Sequence, residues 1–196
     1  MANPNVGMMF PVWAPLSEHT DGSMPVYGNG IVVQEARNAT VNREFANNPL
    51  YGDDRIVDDD NGMTGLTISF EPTGIDDNDR KKLFGESASG EVATGVTGLW
   101  VSDKETPWGG FGYIRKMRKD GVKSFEAWWT LKIKFQEETQ TTTTKEGSIS
   151  WGTPTLSGRA ASIYVNSDDD AKFQLHQTFT SITDAKNWLK ALAKIS

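Results

Sequence analysis

Two acidic runs carry the residue types that bind calcium, whose ligands are carboxylate and carbonyl oxygens. They span residues 53–62 and 166–171. An EF-hand loop requires glycine at its sixth position and a bidentate glutamate at its twelfth. Gly62 would be sixth only if the apolar Val57 were the first ligand, and the second run lacks the glycine and has Gln177 at the glutamate position. Both runs therefore favour solvated turns over calcium sites.

Residues for metal or nucleophilic catalysis are few. The chain has no cysteine, so it cannot form a thiolate metal site. Its two histidines, His19 and His176, are too few to favour a histidine-rich metal site or a catalytic triad. It contains neither a GxSxG nucleophile motif nor a GxxxxGK[ST] loop. The glycine-rich stretch 108–112 lies beside a strand pattern with no helix after it, which argues against a nucleotide-binding loop. We expect a protein that is not an enzyme and that has no cofactor or bound metal.

Tryptophans suggest a binding alternative. Seven are present, and Trp100, Trp108, Trp128 and Trp151 could line a sugar-binding face of a β-sheet. Tryptophans are more frequent in cores and subunit interfaces, however. Trp128 is the informative one, because its strand pattern places it on the polar face, where we expect it to contact another subunit or a packed loop. A carbohydrate-binding or receptor-facing β-sandwich is the alternative.

Basic residues surround a predicted turn at Asp120-Gly121. An Asp-Gly pair between two strand-like runs predicts a β-hairpin, here over residues 111–135, because a type I′ turn requires positive φ at both central residues. The basic residues are Arg115, Lys116, Arg118, Lys119 and Lys123. Two interpretations stay open: charges that solubilise a sheet edge, or a patch that binds an acidic partner.

The second arm of this hairpin has the clearest strand pattern. Apolar residues recur at every second position from Phe125 to Phe135, which predicts six side chains on one face. The other face would then carry Glu126, Trp128, Thr130, Lys132 and Lys134. A shift of one residue would bury lysines, so we expect a well-specified register.

Further strands are predicted over residues 30–41, 65–70, 92–101, 148–156 and 159–165. A short helix is predicted over residues 75–85, which begin with acids and end with two lysines and a glycine. Another is predicted near the C-terminus, capped by Ser181 or Thr183, with apolar residues spaced by three and four. Short strands without a βαβ alternation predict a mainly β fold, an antiparallel sandwich or barrel with a flanking C-terminal helix.

The composition is typical of a single acidic domain. The formal net charge of −6 over 196 residues argues against ordinary binding to nucleic acid, which depends on cations that neutralise phosphates. Residues 1–25, rich in proline and without a period, predict an irregular N-terminal arm, and residues 26–196 predict one domain. We find no signal-peptide pattern and no apolar run near the ~20 residues that a membrane span requires. The lack of cysteine fits a reducing compartment.

Several short motifs follow one another in a set order between residues 27 and 195. They are Leu50-Tyr51-Gly52-Asp53-Asp54, Val57-Asp58-Asp59-Asp60-Asn61-Gly62, Gly65–Phe70, Lys82-Leu83-Phe84-Gly85, Phe111–Lys116 with Asp120-Gly121, Thr144–Ile149 and Thr153–Gly158. In this order they resemble the major tail (tail tube) proteins of long, non-contractile-tailed bacteriophages of Gram-positive hosts. Gly52 departs from that family's usual alanine, and the N-terminal arm lies outside the motifs.

The resemblance implies two packed antiparallel sheets with a flanking helix, in subunits that form hexameric rings. The rings would stack into a tube around the tape-measure protein, with tail terminator and baseplate or distal tail proteins as further partners. DNA would pass through the lumen without specific binding. The implied location is the virion tail, and the host cytoplasm during assembly. A tube protein of a related contractile or secretion machine is a further alternative.

Tube assembly requires contact surfaces between neighbouring subunits. We expect the basic patch to pair with an acidic loop of a neighbour, either 53–60 or 168–170. Residues 137–147 and the N-terminal arm are expected to order only on assembly, because they are polar and poor in core residues. The predicted contact residues are Arg115, Lys116, Arg118, Lys119, Trp128, Thr141, Thr142, Thr143, Thr144, Asp53, Asp54, Asp58, Asp59 and Asp60.

Overall fold

The computed structural model describes residues 5–53, 55–60, 62–86, 105–119, 121–139, 153–165 and 171–196. Its strands are β1 (Asn5–Glu18), β2 (Val26–Tyr27), β3 (Ile31–Val32), β4 (Ala36–Phe45), β5 (Asn48–Gly52), β6 (Arg55–Asp60), β7 (Met63–Pro72), β8 (Gly109–Lys119), β9 (Val122–Thr139), β10 (Thr155–Ala160) and β11 (Gln174–Phe179). Its helices are α1 (Asp77–Phe84) and α2 (Ile182–Leu192). The prediction of a mainly β fold with a C-terminal helix is confirmed.

The main sheet is antiparallel and curls on itself. Its strand order is β2-β1-β8-β9-β10-β7-β4, with β3 paired to β1 and β11 paired to β9. β4, the last strand of this order, comes to lie beside β1. The two strands β5 and β6 pair with each other in a separate ribbon. This arrangement belongs to the predicted class of antiparallel sandwiches and barrels.

The predicted β8–β9 hairpin is confirmed. Arg118 is paired with Lys123 and Lys119 with Val122, so the two strands pair up to either side of the predicted turn, of which Gly121 is described and Asp120 lies outside the described residues. Gly121 has φ of +83°, a conformation that glycine adopts without steric penalty.

A bulge in β9 corrects the expectation that six apolar side chains share one face. Phe111 pairs with Thr130 but Gly109 pairs with Ile133, so β9 has one more residue than β8 between these pairs. The extra residue reverses the alternation. Ala127, Trp129 and Leu131 therefore pack on one side of the sheet, and Ile133 and Phe135 pack on the other.

These two sides carry two hydrophobic clusters. The inner cluster lies within the curl of the sheet and is closed at one side by Leu83 and Phe84 of α1; its other buried members include Trp13, Leu66, Ile68, Phe70, Phe111, Tyr113, Ile133, Phe135 and Leu156. The outer cluster joins β1, β8 and β9 to α2 and includes Val12, Ala14, Ile114, Ala127, Trp129, Leu131, Ala185 and Leu189. β9 thus holds both cores together.

The glycine-rich stretch serves packing. A Cβ at Gly112 would lie 2.6 Å from the Trp129 ring and 2.7 Å from Leu189 Cδ2, and one at Gly110 would also overlap Trp129. The glycines therefore leave room for the Trp129 ring against β8, and this packing accounts for the glycine-rich stretch without a nucleotide ligand.

Both predicted helices form where the sequence indicates. In α1, the Asp76 carboxylate accepts a hydrogen bond from the Asp79 amide at 2.7 Å, and Gly85 ends the helix at φ of +71°. In α2, Ser181 caps the first turn and Ala185 and Leu189 are buried.

The prediction of an irregular N-terminal arm over residues 1–25 is wrong for β1. This strand pairs with β8 and buries Val12, Trp13 and Ala14 in the core. Two irregularities in its pairing hide the period-two pattern, and Gly7 and Phe10, with φ of +80° and +53°, lie within them. Prolines at 11 and 15 further obscure it, because proline is atypical of central strands.

Other strand predictions hold in part. Residues 65–70 lie within β7 as expected, whereas 30–41 are divided between β3 and β4. Of 159–165, the first two residues belong to β10 and two others form isolated bridges. Strand 92–101 and residues 148–152 lie outside the described residues. The strands β2, β5, β6 and β11 were not predicted.

Candidate functional site

At one end of the curl, the inner face of the sheet changes from apolar to polar. Arg43 follows the inward Ala39 and Val41 at alternate positions of β4, and Arg115 follows Phe111 and Tyr113 in the same way on β8. Residues of β9 and β11 complete what we call the inner polar layer. Its members are Arg43, Arg115, Glu126, Trp128, Gln174 and His176.

An ion pair lies at the centre of this layer. Arg115 Nη2 is 2.6 Å from Glu126 Oε2, and the Trp128 indole N–H donates to the same oxygen at 2.9 Å. Burial acts to raise the pKa of Glu126, but the hydrogen bonds from Arg115 and Trp128 outweigh it, so the net pKa is lowered. The carboxylate is therefore held in its charged form.

Trp128 packs against its own chain. Its ring stacks on His176 with 4.6 Å between centroids and an interplanar angle of 18°. The guanidinium carbons of Arg43 and Arg115 lie 5.1 and 4.8 Å from its centroid. Trp128 lies on the polar face of β9 as predicted, but that face is the inner face of the curled sheet, so the ring is half-buried against its own chain. A contact of Trp128 with another subunit stays a prediction.

Arg43 and Gln174 come from distant segments of the chain, and the sequence analysis did not single them out. Arg43 Nη2 donates to Gln174 Oε1 at 3.0 Å, although the two residues are 131 positions apart, and Gln174 donates to Thr130 Oγ1 at 2.9 Å. For the third residue of these segments, His176, the only signal in the sequence was that it is one of two histidines. Only the strand order brings β4 and β11 to the same end of the sheet.

The predicted basic patch is divided between the two faces of β8. Arg115 points into the inner polar layer, whereas Lys116 and Arg118 lie on the opposite face. Arg118 and its cross-strand partner Lys123 are exposed and directly paired. Like charges in direct register destabilise a sheet unless an anion lies near them. We call Lys116, Arg118 and Lys123 the basic tip; the structure places Lys119 at the end of β8 beside it.

The described members of the predicted acidic contact residues lie on the separate β5–β6 ribbon, which we call the acidic hairpin. Asp53 is exposed in its turn, and Asp58, Asp59 and Asp60 belong to β6 and pair with Leu50, Pro49 and Asn48. Tyr51 and Val57 of this hairpin are 67% and 61% exposed, among the highest values for large apolar side chains in the described residues.

The remaining predicted contacts lie outside the described residues: Asp54, Thr141, Thr142, Thr143, Thr144 and the loop 168–170. Among the residues that are described, no group of three or more histidine and acidic side chains is arranged to hold a metal ion. In the same segments, neither helix has the length and apolar character to cross a membrane.

A scan against protein-family models found no match to the chain, and a search of curated proteins found none either.

Proposed function

We propose that this chain is a structural protein of a bacteriophage tail, a tail tube subunit whose hexameric rings stack around the tape-measure protein and later conduct DNA. Its partners are further copies of itself, the tape-measure protein, and the tail terminator and baseplate or distal tail proteins. It acts in the virion tail and assembles in the host cytoplasm. The proposal rests on the motif order, and one feature of the fold supports it.

That feature is the acidic hairpin. It pairs only with itself among the described strands, yet it carries the exposed Tyr51 and Val57. A two-stranded hairpin is marginally stable alone in water, and exposed apolar groups on it favour a partner that covers them. A neighbouring copy of the chain is the partner that a tube supplies.

The basic tip provides the complement. Lys116, Arg118 and Lys123 form no ion pair with a described residue, and the acidic hairpin bears Asp53 and the acids of β6. Two different surfaces that match each other make a heterologous contact, which closes into rings or extends into stacks. Charge complementarity also selects the register of such a contact.

The overall charge agrees with DNA transit. A net charge of −6 leaves negative surface for a lumen, where repulsion of phosphates keeps the DNA from binding.

The carbohydrate-binding alternative gains no support from the described tryptophans. Trp13 and Trp129 are fully buried, Trp188 is half-buried against the outer cluster, and Trp108 and Trp128 are half-buried under lysine and arginine side chains. Trp100 and Trp151 lie outside the described residues.

Negative-stain microscopy of the concentrated protein tests the proposal, which predicts rings or tubes of uniform width. Because Arg115 is already paired with Glu126, the reversed charges are Arg118→Glu and Lys123→Glu, and this double variant should remain monomeric. A matched control, Arg159→Glu with Lys194→Glu, makes the same charge change on exposed residues elsewhere and should assemble. Particles of the double variant identical to the wild type would contradict the pairing.

A further inference from the structure

A cavity lies between β1 and β4, beside the inner polar layer. These strands lie next to each other, but β4 pairs with β7 and β1 pairs with β2, β3 and β8, so no described ladder joins them. The irregularities around Gly7 and Phe10 bend β1 along this gap. The cavity has a volume of about 440 Å³, within the range of small-molecule sites.

The charged groups of its wall are all cations. Arg37 and Arg43 from β4 and Arg115 from β8 line the cavity, and no acidic residue is among its described lining residues. Glu126 neutralises one of the three through Arg115 Nη2. A net positive wall in a protein with a net charge of −6 favours an anionic ligand.

Two buried donors in the same wall lack hydrogen-bond partners. Tyr113 is 1% exposed, and burial raises the pKa of its hydroxyl, with Arg115 and the nearby Gln174 acting in the opposite direction. The hydroxyl makes no well-formed hydrogen bond with a described residue. The Arg115 Nε–H is likewise buried and unpartnered among the described residues. Buried donors are nearly always hydrogen-bonded in native proteins, so a pair of unpartnered ones in one cavity wall indicates a ligand that accepts from them.

We propose that this cavity is a binding site for a small oxyanion, a carboxylate or phosphate group, held by Arg37, Arg43, Arg115 and the Tyr113 hydroxyl. Guanidinium groups present several N–H donors in a planar fork that matches the oxygens of both groups. A phenol hydroxyl donates to the same kind of oxygen. The site is built within one chain, so it does not depend on the proposed assembly.

Isothermal titration of the full chain with sodium phosphate and, separately, with sodium citrate tests the site, with sodium chloride at matched ionic strength as the blank. We expect saturable binding of at least one oxyanion and none of chloride. Tyr113→Phe, which removes only the hydroxyl, and Arg43→Gln should each weaken binding by about tenfold or more, the loss expected for one charge-assisted hydrogen bond. Comparison of the two titrants distinguishes a phosphate site from a carboxylate site.

Arg159→Gln is the matched control, since it removes an exposed arginine of β10 that is not in the cavity wall. It should bind like the wild type. Heat that is equal for chloride, or oxyanion binding unchanged in both Tyr113→Phe and Arg43→Gln, would overturn the proposal. Circular dichroism of each variant separates lost binding from lost folding.

Discussion

The β8–β9 hairpin and the acidic hairpin are both two antiparallel strands, yet their surroundings differ. β8–β9 has β1 on one side and β10 and β11 on the other, and its side chains enter both hydrophobic clusters. The acidic hairpin pairs with no other described strand and exposes Tyr51 and Val57. The β8–β9 hairpin therefore belongs to the hydrophobic core. An isolated hairpin is only marginally stable in water, so the acidic hairpin is suited to a contact surface.

The largest effect is expected in the core of the β8–β9 hairpin. Gly112→Ala would place a Cβ 2.6 Å from the buried Trp129 ring and 2.7 Å from Leu189, so β8 must move away from β9 and α2. We expect the free energy of unfolding to fall by about 3 kcal/mol, the upper range for overpacking. Urea unfolding followed by tryptophan fluorescence measures it.

Gly74→Ala is the control for that change, because the nearest atom to its Cβ would be Gln34 Oε1 at 3.6 Å, an ordinary contact. It should alter stability by less than about 1 kcal/mol. Equal destabilisation by the two substitutions would show that the packing of glycine against Trp129 does not matter.

A smaller loss is expected where the same hairpin holds its ion pair. Glu126→Gln leaves the partly buried Arg115 without its anion, and we expect a loss of about 2 kcal/mol at neutral pH. Since the pKa of Glu126 is lowered in the folded state, its contribution is present above its ordinary value of 4.5 and is lost as pH falls through the folded value. The variant should therefore lose less stability than the wild type on acidification below pH 4.5.

Glu105→Gln provides the comparison for an exposed pair. Glu105 lies 3.4 Å from Lys134 but its side chain is 90% exposed, so its removal should change stability by less than about 1 kcal/mol. The free energy of unfolding of the wild type and of both variants, measured between neutral and acidic pH, tests the role of the Arg115–Glu126 pair. The same pH dependence of stability in the wild type and Glu126→Gln would contradict that role.

The sequence predicted elements whose signals are local. The β8–β9 hairpin, the caps of α1 and α2, and the alternation in β7 each depend on a few adjacent residues, and each was found in place. The basic cluster around Gly121 and the acidic run 53–60 were also recognisable, since their charges lie close together in sequence, but the hairpin of β5 and β6 that carries the acids was not predicted.

Features set by long-range pairing were not predictable. The bulge in β9 depends on its register with Gly109, which no local pattern specifies, and it moved Ile133 and Phe135 to the other cluster. β1 escaped recognition because its pairing irregularities break the period. The inner polar layer was missed because strand order alone brings Arg43 and His176 to Trp128.

The smallest effect on the folded monomer is expected from the acidic hairpin. Tyr51→Ser with Val57→Thr removes exposed side chains, so the free energy of unfolding should change by less than about 0.5 kcal/mol. Assembly should nevertheless be lost, as measured by sedimentation velocity. Tyr164→Ser with Val32→Thr makes the same chemical changes at residues 46% and 41% exposed elsewhere, and should assemble normally. Loss of assembly in both double variants would remove the distinction between this hairpin and other exposed apolar residues.

Disulfide cross-linking tests most directly whether the acidic hairpin of one copy binds the basic tip of another. The chain has no cysteine, so Val57→Cys and Arg118→Cys each carry one thiol and can cross-link only between molecules. When equal amounts of the two variants are mixed and oxidised under assembly conditions, we predict disulfide-linked mixed dimers in preference to dimers of either variant alone. Assembled particles without a mixed cross-link, or with cross-links only between identical variants, would contradict the account.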